Sequence, residues 1–532
     1  MDITKGKERW AVLALGLGLF MTLLDATIVN ISIPTMMEDF GADVSRISWV
    51  LDAYLLALAV LMLTMGQLAD QFGRKLIYNL GLGVFMLGSL LCAVSWDVNW
   101  LISFRCFQAV GGAIMIPVTM AIMTAMFPAE RRGAAMGIWA AIGVSAAAAG
   151  PSLGGFFVEY LSWHWIFYIN IPIGVVALAL SRRSVVESKD PLAPKRVDFP
   201  GILTFSISAF SLVLAIIRGE DWGWSSGQII SLFIIAAAFL VAFIAVERWQ
   251  SQPMVELRLF RNVTFSSSGV GQLLVAFGML GAIFLLTLFL QNVMGYSALR
   301  AAAAITPIPA TALVLAPIAG RLCDKMGSRI PVILGMVALG LGLYLFSQLQ
   351  ADSEWVDVAW RSVIVGAGMG LSNAGLAVAA MGAITSGKEG VGSGVLNVSR
   401  MIGMALGIAI CVALLSSSAS THVSEAKVEV EAVIMEDQQL PEFVKEKILT
   451  EVEHIGEQES LQSVPDLARI AAEVGAPEAM LPHLEQLSAQ ISSIFRSHMA
   501  RAFRDVFPLA GIVVGFGIIP ALLLGRLRGA PG

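Results

Sequence analysis

Gly66-Gln-Leu-Ala-Asp70-Gln-Phe-Gly73-Arg74-Lys75 reappears far along the chain as Gly320-Arg-Leu-Cys-Asp324-Lys-Met-Gly327-Ser328-Arg329. Both copies spell G-x-x-x-D-x-x-G followed by basic charge, and both close an apolar run of membrane-spanning length. A repeat at corresponding places marks a chain built from two related halves, as many secondary transporters are. In each copy the glycines permit a sharp turn and close approach of helices. An aspartate beside a neighbouring helix N-terminus, or paired with an arginine, makes a bond suited to forming in one conformation and breaking in another. Ser328 stands where Arg74 stands in the first copy, so the second copy is the weaker match.

The surroundings of the repeat are those of a membrane protein. Of 532 residues, 57% are hydrophobic and 14% charged, where soluble domains carry about 25% charged residues. With a mean hydropathy of +0.78, the surplus of apolar surface needs lipid as its solvent. The net charge of -5 comes from one acidic segment near the C-terminus, and no basic face points to nucleic acid. Cys92, Cys106, Cys323 and Cys411 lie in or beside apolar runs and read as small buried hydrophobes, not as disulfides or metal ligands. Lys5, Lys7 and Arg9 precede an apolar run too long for a signal peptide, which reads as a retained first helix.

A crossing helix needs about 20 apolar residues, and fourteen stretches qualify: 10–33, 48–69, 76–96, 100–126, 133–157, 164–181, 199–217, 227–247, 264–290, 301–320, 330–349, 357–381, 391–416 and 503–525. Basic residues favour cytoplasmic segments. With both termini inside, Arg74, Lys75, Arg131, Arg132, Arg182, Arg183, Arg321, Lys325 and Arg329 fall there, and the short outer loops keep only Arg46, Arg218 and Arg300. Two bundles of six spans result, with spans seven and eight inserted between them. Residues 417–502 form one long outer segment, rich in Glu, whose apolar spacing predicts a helical hairpin. It holds His422, His454, His483 and His498, which lack the i, i+4 spacing of a zinc site and read as solvated surface.

An ionisable group within a span costs on the order of 2.5–3.5 kcal/mol and marks function by default. Asp25 in span one, Asp52 in span two, Arg105 in span four and Arg400 in span thirteen are the candidates. At 1.5 Å per residue, Asp25 lies roughly 12 Å and Arg105 about 7 Å below the outer surface. Thr22, Asp25, Val29 and Ser32 share one helical face, as do Arg105, Gln108, Gly112 and Thr119, and two polar stripes facing one cavity are expected. A carboxylate there, raised by desolvation and lowered by an arginine, is able to hold either a proton or a cationic substrate. Gly143, Ala147, Gly150 and Gly154 make a close-packing face on span five, and Pro151 invites a bend.

These residues resemble the fourteen-span drug:proton antiporters of the major facilitator superfamily along the whole set of spans. The loop Gly66–Lys75 is similar to the superfamily's gating motif. Leu24-Asp25-Ala-Thr27-Ile-Val-Asn30-Ile-Ser-Ile-Pro34 resembles the first-span motif of this branch, and Arg105-Cys-Phe-Gln108-Ala-Val-Gly111-Gly112 the span-four motif whose arginine is linked to proton transfer. Gly143-Val-Ser-Ala-Ala-Ala-Ala-Gly150-Pro151-Ser-Leu-Gly154-Gly155 resembles the antiporter motif of exporters, and Trp163–Pro172 also fits. The resemblance implies an all-α integral membrane protein of the major facilitator fold, with both termini cytoplasmic. It implies Asp25, Asp52 and Arg105 in proton and substrate coupling, and Thr22, Asn30, Gln108, Gly112 and Arg400 lining the cavity. Gly66, Asp70, Gly73, Arg74, Lys75, Gly320, Asp324, Gly327 and Arg329 would form gating loops. Span thirteen has no carboxylate, which counts against divalent cations as cargo.

The expected organisation is an N-terminal bundle over 1–181, a linker and inserted pair over 182–263, a C-terminal bundle over 264–525 that includes 417–502, and a tail over 526–532. The expected partners are protons, membrane lipids and small hydrophobic or cationic drugs, in the cytoplasmic membrane of a bacterium, with no cofactor beyond the proton gradient. A periplasmic adaptor protein stays open as a further partner. An exporter of lipids, lipid-linked precursors or metabolites on the same fold is the alternative. An enzyme is not expected: Gly382-Ala-Ile-Thr-Ser-Gly387-Lys388-Glu389 nearly spells a phosphate loop, but Glu389 replaces its hydroxyl and no strand precedes it.

Overall fold

In hydrocarbon every backbone N–H and C=O needs a partner within the chain, and a helix supplies it locally. The computed structural model describes residues 3–189, 197–385, 387–453 and 481–525, and among these fourteen helices are long and apolar enough to cross a membrane. The first half comprises α1 (Ile3–Phe40), α2 (Val44–Phe72), α3 (Arg74–Ala93), α4 (Val98–Met126), α5 (Arg132–Tyr160), α6 (Trp165–Tyr168) and α7 (Asn170–Ser184). An inserted pair follows, α8 (Phe199–Trp222) and α9 (Gly227–Trp249). The second half comprises α10 (Val263–Leu288), α11 (Ala298–Ile305), α12 (Pro307–Met326), α13 (Arg329–Phe346), α14 (Trp355–Gly382) and α15 (Glu389–Glu436). It continues through α16 (Glu442–Glu453), α17 (Leu481–Gly515) and α18 (Ile518–Leu522). Asp43, Asp97, Asp198 and Asn262 start α2, α4, α8 and α10, each accepting a backbone N–H that the first turn leaves unpaired.

The buried apolar core is unequal at the two ends. Where α2 and α12 end, one cluster bridges the halves, joining Leu63, Ala69 and Met136 to Ala316, Ala319 and Leu396. At the opposite end the core divides. Ile28, Val29, Ile47, Leu101 and Phe167 cluster within the first half, while Leu285, Phe289, Leu343 and Phe503 cluster within the second. The halves are thus fastened at one end, called the latch end below. Large apolar side chains such as Leu80, Ile234, Val241 and Val337 are exposed on the flanks, where lipid would meet them.

Three expectations change. In the described parts of 417–502 the expected hairpin is not a separate unit: α15 runs unbroken for 48 residues and α17 for 35, so their arms continue the spanning helices. A continuous apolar stripe explains this, with Ala419, Val423, Ala426, Val430 and Ile434 buried against Leu484, Leu487, Ile491 and Ile494. The arms and α16 make the hairpin, and its tip is pinned by His483 on Asp437, 2.7 Å apart. Arg218 is not in a loop: it is buried within α8. The sixth span is interrupted at Ile169, so α7 begins at Asn170. His454 and the tail 526–532 lie outside the described residues.

Candidate functional site

The residue that should cost most in a first span sits where the cost is offset. Asp25 on α1 and Arg105 on α4 are both 0% exposed and form a direct ion pair. Gln108 Nε2 and Asn170 Nδ2 donate to Asp25 Oδ1 at 2.9 and 3.0 Å, so the carboxylate accepts from three side chains. Ser89 Oγ receives the same two amides at 2.7 and 3.2 Å. Arg105 also donates to Gln108 Oε1 at 2.7 Å and to Val50 O of α2 at 3.2 Å, and its guanidinium lies over the Tyr54 ring at 3.9 Å. A buried pair is tolerable only if most of its remaining lone pairs and protons are satisfied; α1, α2, α3, α4 and α7 all contribute to that here, while Arg105 Nη2 is buried without a hydrogen-bond partner among the described residues. Glycine makes the packing possible: a Cβ at Gly88 would lie 2.6 Å from the Gln108 Cα.

The expected open cavity between the two polar stripes is replaced by direct packing. Thr22, Val29, Ser32, Gln108 and Thr119 are buried, and Gly112 lies against Thr22 and Tyr54. Asn30 is exposed instead. Asp52 is not brought to the Asp25 group; its carboxylate pairs with Arg218 of the inserted α8 at 2.7 Å. Beside it lies an apolar cavity of about 290 Å³ between α2, α8, α10 and α15, lined by Leu55, Ile217, Trp224, Met401 and Met404. Arg400 lines a separate, small cavity of about 30 Å³ between the halves with Trp139, Gln272, Asn373 and Asn397. Gly150 and Gly154 seat α5 on α1 beside Asp25, where added Cβ atoms would lie 2.0 Å from Thr27 Oγ1 and 2.9 Å from Ile28 O. Gly143 faces Leu23 of the same helix, Gly155 faces open space, and Pro151 falls within α5.

The repeated motif closes the latch end twice. Asp70 accepts from the backbone N–H of Gly390 and Val391, both at 3.0 Å; Asp324 accepts from those of Gly133 and Ala134, at 2.7 and 2.9 Å. Each aspartate thus caps the first turn of a helix in the other half, α15 or α5, where N–H groups are unpaired and the helix dipole favours a negative charge. The glycines permit contact: Cβ atoms added at Gly66 and Gly320 would lie 2.3 and 2.0 Å from the carbonyl oxygens of Gly390 and Gly133. Gly73 and Gly327 turn the chain with φ of 117° and 84°. Among the described residues only the first copy adds an ion pair. Arg74 bridges Asp70 at 2.7 Å and Glu389 at 2.6 Å. Lys75 bonds within its own half, to Arg182 O at 3.0 Å, and Arg329 is exposed at the start of α13.

Ser89, Asn170 and Glu389 do not stand out in the sequence as site residues. Asn170 carried a signal, an amide in a short apolar span. In the sequence Glu389 is the residue that spoils a phosphate loop; in the structure its carboxylate accepts from Arg74 and from the Gly387 N–H. His422 and His498, expected as separate solvated groups, face each other across α15 and α17 with ring centres 6.3 Å apart. His498 is buried.

Two halves of six spans, latched by a duplicated motif around buried charge, define a multi-pass membrane transporter. Residues 15–408 match the Major Facilitator Superfamily, and the chain belongs to that family. It is 34% identical over 429 residues to the multidrug resistance protein Stp of Mycobacterium tuberculosis, covering 78% of each chain. It is 30% identical over 505 residues to the tetracenomycin C resistance and export protein of Streptomyces glaucescens, covering 94% of this chain and 89% of that one. Among solved structures, a bacterial homologue of the human lysosomal transporter Spinster matches in fold, at TM-score 0.51 and 18% identity over 99% of both chains. The human organic anion transporter MFSD10 matches at TM-score 0.57 and 14% identity, over 77% of this chain and 93% of that one.

Proposed function

We propose that the chain exports lipophilic drugs across the cytoplasmic membrane in exchange for protons, by alternating access. The observation that carries this reading is the Asp25–Arg105 pair and what it is bonded to. A proton on Asp25 cancels the charge that Arg105 neutralises, and a buried pair losing one partner costs on the order of 3–5 kcal/mol. That stress falls on elements leading to both latches. Arg105 holds α2 through Val50 O, and α2 ends at Asp70. Asp25 lies on α1, against which α5 is seated, and α5 begins at the Gly133 and Ala134 donors of Asp324. Protonation and latch opening are thereby linked, and drug would leave on one side as the proton moves to the other. The names of the relatives, resistance and export proteins, agree with this cargo.

The test is substrate-induced proton flux in proteoliposomes with cationic dyes and neutral lipophilic drugs. Flux that needs substrate and disappears in Asp25→Asn is expected; undiminished flux in that variant would overturn the assignment.

One observation favours widening the cargo. Among the described residues no carboxylate pairs with Arg400, and its cavity neighbours Gln272, Asn373 and Asn397 are neutral amides. A cation left without a counter-ion at that depth favours drugs that present an acid or a strong acceptor to it.

A further inference from the structure

Where α15 and α17 pass from their spans into the arms of the hairpin, five polar side chains converge. His422, Glu425 and Glu429 follow one face of α15, and His498 and Asp505 one face of α17. Each imidazole is gripped at Nε2 by a carboxylate: His422 by Asp505 at 3.0 Å and His498 by Glu429 at 2.9 Å. With the ring protons on these nitrogens, both Nδ1 atoms are left as lone pairs. His422 Nδ1 lies 2.9 Å and His498 Nδ1 3.6 Å from the same oxygen, Glu425 Oε2. His498 is only 3% exposed, and among the described residues its buried Nδ1 has no hydrogen-bond partner. Two lone pairs and a carboxylate oxygen aimed at one point repel each other unless a proton or a metal cation lies between them, and a metal serves all three at once.

We propose that His422, His498 and Glu425 form a binding site for a divalent transition metal of the zinc class, one that ties α15 to α17. The three residues offer ligand atoms within 4.8 Å of one another. Ligands on bonds of about 2.1 Å in a tetrahedral zinc site stand roughly 3.4 Å apart; Glu425 is already that close to both rings, so a small approach of the two imidazoles, with Glu425 easing away from His422, completes the set. Nitrogen ligands select zinc, cobalt or nickel over calcium and magnesium, which prefer oxygen. A carboxylate on the far nitrogen of each ring is the usual outer support of a metal-bound histidine, and Asp505 and Glu429 supply it twice. Ser418 in turn donates to Asp505 at 3.0 Å. The fourth position is left to water.

The experiment uses full-length protein, purified in detergent without a polyhistidine tag, stripped with chelator and titrated with Co²⁺ and then Zn²⁺. One equivalent of Co²⁺ with a visible d–d band, displaced by Zn²⁺, is expected. His498→Gln and Glu425→Gln should each weaken binding at least ten-fold, and His483→Gln at the hairpin tip should leave it unchanged. Zinc should raise the melting temperature of the wild type and not of His498→Gln. If His498→Gln fails to fold, Glu429→Gln replaces it, with about a ten-fold loss expected from the missing outer support. No band with well-folded protein, or equal affinity in the variants, overturns the proposal and leaves the cluster as protonated histidines on carboxylates.

Discussion

Asp25 accepts from Arg105, Gln108 and Asn170, so a proton placed on it withdraws an acceptor shared by three side chains. Asp25→Asn imitates that state permanently. Coupled flux should fall to background while the protein still inserts, and its melting temperature in detergent should drop, because Arg105 is left a buried cation at a cost of about 3–5 kcal/mol. Arg105→Lys should be nearly as inactive in the flux assay, since one ammonium cannot reach Asp25, Gln108 and Val50 O in the geometry of a planar guanidinium. Both members of this pair were legible in the sequence, because charge inside an apolar run has few innocent explanations. Ser89 was not, since a serine in a span ordinarily satisfies itself on its own helix. Nor was the partner of Asp52: Arg218 looked like a loop residue until α8 proved long enough to contain it.

The latches belong to the scale of helix ends. Gly320→Val and Gly66→Val each push a branched side chain against a carbonyl oxygen 2.0 or 2.3 Å away, so the facing helices have to separate. In a background without the native cysteines, a cysteine at Ala134 should be labelled by a polar thiol reagent faster in Gly320→Val than with Gly320 retained. Equal labelling would mean that this end is closed by something else. The two aspartates should also differ: Asp70→Asn takes from Arg74 one of its two carboxylates and weakens a helix cap, whereas Asp324→Asn weakens a cap alone. Transport should therefore suffer more from the first. The repeat was visible in the sequence because its glycines and aspartates keep fixed spacing within one segment. Glu389 was hidden because its meaning depends on a helix start in the other half of the chain.

For the whole molecule, the cargo question centres on the cavity between the halves. Arg400→Gln should lower export of acidic drugs several-fold while sparing cationic dyes, measured side by side in proteoliposomes; parallel losses would return Arg400 to a packing role. Span number and the two-bundle plan could be read from hydropathy and charge, since lipid leaves the backbone so few choices. The pairing of His422 with His498 could not, because it depends on how two long helices rest together. Those helices give the molecule a mechanical property. α15 has 48 residues, about 72 Å at 1.5 Å per residue. It starts at Glu389 in the first latch and ends beside the tip of the hairpin on the other side of the bilayer. Such a rod is a lever: a small tilt at the latched end is magnified at the far one. A fluorophore on exposed Val428 would register the opening of a gate on the opposite face without touching the path the drug takes.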